Sequence, residues 1–532
     1  MSDKQVYKRR KITSNKNQLE EKQNMVEIKE LKNEHNSDKT LYNSNINSLI
    51  NELNNYALNH ELITEEDIIY MTNSLYGILH VEDAKFNFVR SSETRIIDDI
   101  LEDILNYAIN KELISNYTYV KEMLDTKICD LYTPRPSEVI KTFFNLYKEN
   151  KEKATNYFYN LMIDVNYVRK NRIDKNILYK VDSRYGMIDI SINLSKPEKD
   201  PKEIAKLKEL KNNTKYPKCQ LCYENVGYQG RANHPARNNL RVIPVKLNNE
   251  DFYLQYSPYG YFNEHAIILK REHENMKISE ITFIRLLDFL DMFPHYFIGS
   301  NADLPIVGGS ILDHEHYQGG RATFAMDNAK VLYQKNIGHV QVNYLDWPLD
   351  TIELETGKEH RDELLKLANQ ILYKWRRYSK PSINIFNSLE DLHNTITPIA
   401  RMRNNNYVLK LVLRNNYTTS EKPYGLYHPD VDLHHIKKEN IGLIEVLGLA
   451  ILPARLKKEL TILDEIVQGK RNESDIELIA NHKEWYEEIK NMENLNINNE
   501  VGKIFVKVLE SCKVFKYGSI DDVIEFIDSF VI

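Results

Sequence analysis

Residues 240–270 read LRVIPVKLNNEDFYLQYSPYGYFNEHAIILK. Three runs within them, LRVIPV, DFYLQYS and EHAIILK, are rich in β-branched and aromatic residues and are bounded by Asn, Gly and Pro, the pattern of short antiparallel strands. Just beyond lies ISEITFIRLLDFLDMFPHYF, where Ile281, Ile284, Leu287 and Leu290 recur at helical spacing and a proline stands near the end. Strands followed by a helix predict an α+β centre, an antiparallel sheet with helices packed on it.

Downstream, DELLKLANQILYKWRRY reads as a helix, YVLKLVLR as a strand, and IGLIEVLGLAILPARLKKELTILDEIV as one long, mostly buried helix. Strands, a histidine-rich loop and a helix follow one another in both the third and fourth quarters of the chain, a hint of duplication. Upstream, from Ile46 to about Tyr179, the periodicity is helical: Ile46, Leu49, Ile50, Leu53, Tyr56 and Ala57 recur at spacings of three and four. IIDDILEDILNYAI and EVIKTFFNLYKE repeat that pattern, and the breaker-rich SINLSKPEKDPKEI then leads towards CQLC. The division expected is a disordered polar tail over 1–44, a mostly helical region over 45–205, a first half carrying CxxC and HxHxQ over 206–335, and a second half over 336–532. In so polar a tail the basic run Lys8 to Lys11 reads as part of a solvated arm.

The chain of 532 residues carries 71 Lys and Arg against 77 Asp and Glu, a net charge of -6, which offers no electrostatic case for nucleic acid or an anionic membrane as partner. Four cysteines, Cys129, Cys219, Cys222 and Cys512, are too few for a disulfide framework and fit a reducing compartment. The N-terminus lacks the apolar core of a signal peptide, and no run approaches the ~18 apolar residues of a membrane span. A cytoplasmic protein is expected.

Cys219 and Cys222 in CQLC are spaced to bring two thiolates to one metal, with His273 and His314 as candidate further ligands. A redox pair or two buried cysteines would also fit. In HEHYQ, residues 314–318, an extended backbone puts His314, His316 and Gln318 on one face, about 6 to 7 Å apart from one to the next. One histidine can then bind metal while its neighbour attacks phosphorus, since a neutral imidazole is a good nucleophile near pH 7. An amide at the third position can donate to a phosphoryl oxygen as charge develops. Gly308, Gly309, Gly319 and Gly320 allow close backbone approach to a ligand. A second stretch, ENVGYQGRANHPARNNLRVIP, offers Arg231, Arg237, Arg241 and His234 for phosphate and hydroxyl groups. No GxxxxGK[ST] loop and no GxGxxG after a strand occurs, so neither a P-loop nor a dinucleotide Rossmann site is supported.

The stretches PKCQLCYENVGYQGRANHPAR, QYSPYGYFNEHAIILKREHENM, HYFIGSNADLPIVGGSILDHEHYQGG, NTITPIARMR and HHIKKENIGLIEVLGLAILPARLK, with TPRPSEV and INLSKPEKDPKEIA upstream, resemble galactose-1-phosphate uridylyltransferases of the second type. The resemblance runs over roughly residues 45 to 530. It implies a histidine-triad-like α+β fold and a double displacement, in which a histidine takes uridylyl from UDP-glucose, releases glucose 1-phosphate, and passes the group to galactose 1-phosphate. It puts the nucleophile on His316 and the phosphoryl-oxygen donor on Gln318, where related hydrolases carry a third histidine. The zinc ligands of the family's first type match Cys219, Cys222, His273 and His314, and no organic cofactor is implied. Glu315 stands where the first type has a proline, which predicts a less stiff loop. Substrate contacts are implied for Asn301 near the phosphates, Asn239 near the ribose, Arg237, and Lys438 with Gly442 in a segment closing over the nucleotide. His428, His434 and His435 depart from the first type's spacing for a second metal and are not assigned.

First-type relatives also imply a homodimer. The alternative enzyme is another nucleotidyltransferase or phosphorylase of the same superfamily, acting on a different nucleotide sugar or a dinucleoside polyphosphate. A non-catalytic zinc module for binding a partner would leave His316 and Gln318 without a purpose.

Overall fold

A computed structural model gives the structure of residues 46–195, 214–309, 311–388 and 390–531. The tail expected over 1–44 lies outside the described residues.

Six helices open the described chain: Ile46–Asn59, Ile68–Ile78, Ile97–Asn110, Thr118–Leu131, Pro136–Glu149 and Lys151–Asp164. The first buries the six periodic positions read from sequence, Ile46, Leu49, Ile50, Leu53, Tyr56 and Ala57. A hairpin follows, β1 (Ile177–Ser183) and β2 (Gly186–Ile192). Those two strands lie within the stretch expected to be mostly helical.

The centre is one antiparallel sheet of ten strands. Its first five are β3 (Ile243–Leu247), β4 (Glu250–Tyr256), β5 (Ala266–Lys270), β6 (Phe297–Gly299) and β7 (His316–Gly320). The other five are β8 (Val331–Ile337), β9 (Val340–Leu345), β10 (Thr351–Gly357), β11 (Asn394–Arg403) and β12 (Asn406–Asn415). Their spatial order is β3-β4-β5-β7-β6-β11-β12-β10-β9-β8. Counted inward from either edge, the two halves have the same topology. In each half a helix, Glu280–Met292 or Arg361–Trp375, joins the third strand to the innermost one. The duplication hinted at by element order is therefore built into the sheet, and its seam is the pairing Ile399↔Gly299, Ala400↔Ile298 and Arg401↔Phe297.

The helix Glu280–Met292 buries Phe283, Leu286, Leu287, Phe289 and Leu290, whereas Ile281 is exposed. Its apolar surface is broader than the single stripe read from sequence and rotated from it, because the helix packs both on the sheet and on Arg361–Trp375.

The long helix expected after Ile441 does not form. In its place are a single helical turn Leu443–Val446, a strand β13 (Leu449–Leu452) and the helix Arg455–Val467. Gly448, at φ +100°, turns the chain into β13, and Pro453 follows it. β13 pairs in parallel with β2, so a second sheet of order β1-β2-β13 ties the upstream hairpin to the second half. The helix Ile497–Ser511 covers β1.

Candidate active site

β7 lies between β5 and β6, with Leu269 opposite His316, Ile267 opposite Gln318, and Gly299 opposite Gln318 on the other side. Strand alternation sends Tyr317 into the core, fully buried, and leaves His316 and Gln318 on the face that lines a cavity of about 870 Å³. Asn301, Gly308 and Gly309 from the β6–β7 loop, Arg237, Tyr167, Tyr261 and His265 form further parts of the wall. The second half closes it with Lys437, Asn440, Gly442 to Glu445 and Ile451 to Ala454.

His316 is buried, and its Nδ1 lies 2.8 Å from the carbonyl oxygen of His314. A carbonyl only accepts, so Nδ1 carries the proton and Nε2 keeps its lone pair. Burial lowers the His316 pKa to about 4, and the ring is neutral at pH 7. Asn301 reaches across the halves: its Oδ1 accepts the backbone N–H of Leu443 at 2.8 Å. A Cβ on Gly309 would stand 2.5 Å from Asn301 Nδ2, so the glycine makes room for that amide.

His314, expected on the same face as His316 and Gln318, precedes β7 and does not line the cavity. Its Nδ1 stands 3.2 Å from Cys219 Sγ and 3.7 Å from Cys222 Sγ; the two sulfurs are 3.6 Å apart, and Cys222 Sγ is 3.3 Å from His273 Nδ1. The four ligand atoms lie within 4.8 Å of one another. Zinc bonds of about 2.3 Å to sulfur and 2.0–2.1 Å to nitrogen, set tetrahedrally, space their ligand atoms by roughly 3.4–3.8 Å, so the set fits such an ion. His314 Nε2, 2.8 Å from the carbonyl of Lys270, fixes the ring from outside, as ligand histidines require. Gln220 and Leu221, between the cysteines, reach the cavity wall.

Among the described residues one other group could hold an ion, His339, His360 and Glu363. Its imidazoles stack 3.9 Å apart and within 4° of parallel, so their in-plane lone pairs do not meet at one point. His428, His434 and His435 fall in neither group; His435 Nδ1 instead faces His482 Nδ1 at 2.8 Å.

The loop carrying the histidines is tied to its surroundings through Glu315. Glu315 replaces the conformational restraint of a proline with three donors to its carboxylate, the backbone N–H of Lys277 at 2.9 Å, Tyr317 Oη at 2.7 Å and Arg285 Nη1 at 3.4 Å.

Of the arginine-rich stretch, Arg237 reaches the cavity. Arg241 is buried against Asp130 and the Pro134 carbonyl, Arg231 binds the Tyr216 carbonyl, and His234 Nε2 meets Asn225. Asn239 stands behind the wall, its Nδ2 donating to the Val165 carbonyl at 2.9 Å. Lys438 lies over the Tyr424 ring, and its neighbour Lys437 lines the cavity, with Nζ 2.9 Å from Glu445. His265, unremarked in sequence, lines the cavity and touches Gln318 through Nε2 and Oε1 at 3.0 Å. Fifty-three residues separate them, and only the pairing of β5 with β7 brings them together.

Residues 61–275 match the family model described as galactose-1-phosphate uridyl transferase, N-terminal domain, and residues 289–487 match that for the C-terminal domain. A galactose-1-phosphate uridylyltransferase of Clostridium acetobutylicum is 49% identical over 487 residues, covering 89% of this chain and 97% of the relative. Relatives of the same name from Fusobacterium nucleatum, 45% identical over 88% of this chain and 95% of theirs, and from Caldanaerobacter subterraneus, 46% identical over 88% and 94%, are similar throughout.

Proposed function

Since the chain belongs to the galactose-1-phosphate uridylyltransferase family, we propose that it transfers uridylyl from UDP-glucose to galactose 1-phosphate in two displacements at His316. The observation that carries the reading is the buried, neutral His316 with Nδ1–H bound to the His314 carbonyl, at the wall of a cavity large enough for a nucleotide sugar. In the first displacement Nε2 attacks the uridylyl phosphorus. The N–P bond forms, the P–O bond to the leaving phosphate breaks, and glucose 1-phosphate departs with the electron pair. In the second, a phosphate oxygen of galactose 1-phosphate attacks the same phosphorus. The N–P bond breaks, UDP-galactose leaves, and the lone pair returns to Nε2.

Gln318 and Asn301 direct amide N–H donors at the non-bridging oxygens as negative charge gathers on them. Arg237 supplies a permanent positive charge for the diphosphate. Asn239 acts behind that wall and Lys438 beyond it, the one supporting the ribose side and the other the closing segment. We assign zinc to Cys219, Cys222, His273 and His314, where it would tie the CQLC turn to the ends of β5 and β7 as a structural clamp. Four free cysteines accord with the cytoplasmic setting proposed for this reaction, and among the described residues no helix is long and apolar enough to cross a membrane.

The test is covalent labelling. UDP-glucose labelled in the uridylyl phosphate should leave label on the wild-type chain, released by acid and stable to base as a phosphoramidate is, and His316→Asn should take up none. An unlabelled wild type, or equal label on the variant, overturns the reading. Galactose 1-phosphate should discharge the label faster than inorganic phosphate; the reverse order would point to a phosphorylase.

A further inference from the structure

His265 is the residue before β5 and is 4% exposed. It packs against the rings of Phe262 and Tyr261, with centroids 4.5 and 5.4 Å away. Its Nδ1 accepts the backbone N–H of Tyr261 at 3.5 Å, and its Nε2 is 3.0 Å from Gln318 Oε1. Burial lowers its pKa to about 4, so the ring carries one proton near pH 7. With Nδ1 facing an N–H donor, that proton sits on Nε2 and is donated to the amide oxygen.

A glutamine amide offers a donor end and an acceptor end that are alike in shape. Turned the wrong way, Gln318 would set its oxygen against an anionic phosphoryl group. We propose that His265 is a positioning residue that fixes the polarity of the Gln318 amide by occupying its oxygen, so that the –NH2 end faces the cavity. Asn301 is treated alike by different means, its oxygen being occupied by the Leu443 N–H. The inference rests on Gln318 meeting phosphoryl oxygens, as in the transfer reading, but not on transfer itself. Its test therefore uses binding as well as turnover.

His265→Phe keeps the ring's bulk and removes the donor. It should lower kcat for uridylyl transfer by about 10- to 100-fold and weaken UMP binding in calorimetry. His265→Gln, which can place an amide N–H at similar reach, should recover part of both. In a Gln318→Ala background His265→Phe should add nothing further, because its effect passes through Gln318. Melting temperatures of all variants separate misfolding from mispositioning. Wild-type UMP affinity in a folded His265→Phe, or equal losses with and without Gln318, overturns the proposal. A wild type that binds UMP but transfers nothing defeats the transfer reading alone, and the binding cycle still decides on His265.

Discussion

Glu315 stands between a candidate metal ligand and a candidate nucleophile and belongs to neither role. Its carboxylate and the Arg285 guanidinium are both buried, with 4% and 8% of their side chains exposed, and Arg285 also pairs with Glu250. Removing the carboxylate leaves the buried Tyr317 hydroxyl and the part-buried Lys277 N–H without that acceptor. Glu315→Ala is expected to cost about 2–4 kcal/mol, read as a lower urea midpoint, and to slow labelling of His316. Glu315→Gln keeps one acceptor oxygen in place of two, enough for Tyr317 and Arg285 but not also for the Lys277 N–H, and should lose less than alanine. His316 and Gln318 were legible as one face because alternation along a strand is local, whereas His314 precedes β7 and escapes that alternation. Asn239 and Lys438 were placed one wall or one residue away, since nothing in a loop's sequence says which neighbour faces inward. His265 had no local signal; its role exists only across a strand pair.

The helix Ile497–Ser511 meets β1 at a glycine. A Cβ on Gly502 would stand 2.5 Å from Val181 Cβ, with no flexible side-chain end to yield. Gly502→Ala is expected to destabilise by about 1–3 kcal/mol through overpacking, outweighing the roughly 1 kcal/mol that alanine gains over glycine within a helix. Val181→Ala, which removes the Cγ1 and Cγ2 atoms at 2.5 and 2.7 Å but keeps the Cβ, should recover only part of the loss in a guanidinium titration. Most elements were legible, the first helix to its last buried position. The failures were the β1–β2 hairpin and, more instructively, β13. A strand in a parallel pair, buried on both sides, is apolar throughout, as in LAIL, and so cannot be told from a turn of buried helix by periodicity. Gly448 and Pro453, which bound it, were the signals that the run was broken.

Across the whole molecule, two half-sheets of like topology share one seam, and each depends on the other for its innermost strand's partner. β6 has three residues and pairs on both sides. The halves should unfold together. All three tryptophans, Trp347, Trp375 and Trp485, lie in the second half, and Cys219 and Cys222 in the first. Tryptophan emission and the onset of reactivity at those two thiols should share one urea midpoint; separated midpoints would show that the halves melt independently. The repeat of element order was visible in sequence, whereas the seam was not, because pairing between strands a hundred residues apart leaves no periodic trace.

The two halves are alike in topology but not in equipment. β12 sits between β11 and β10 as β7 sits between β6 and β5, yet its sequence, NYVLKLVLRN, has no histidine. The copy that lacks a histidine there supplies Leu443 and its neighbours as a roof over the cavity of the other. The consequence is a stoichiometry: label from UDP-glucose should saturate at one uridylyl group per chain, although the architecture is present twice.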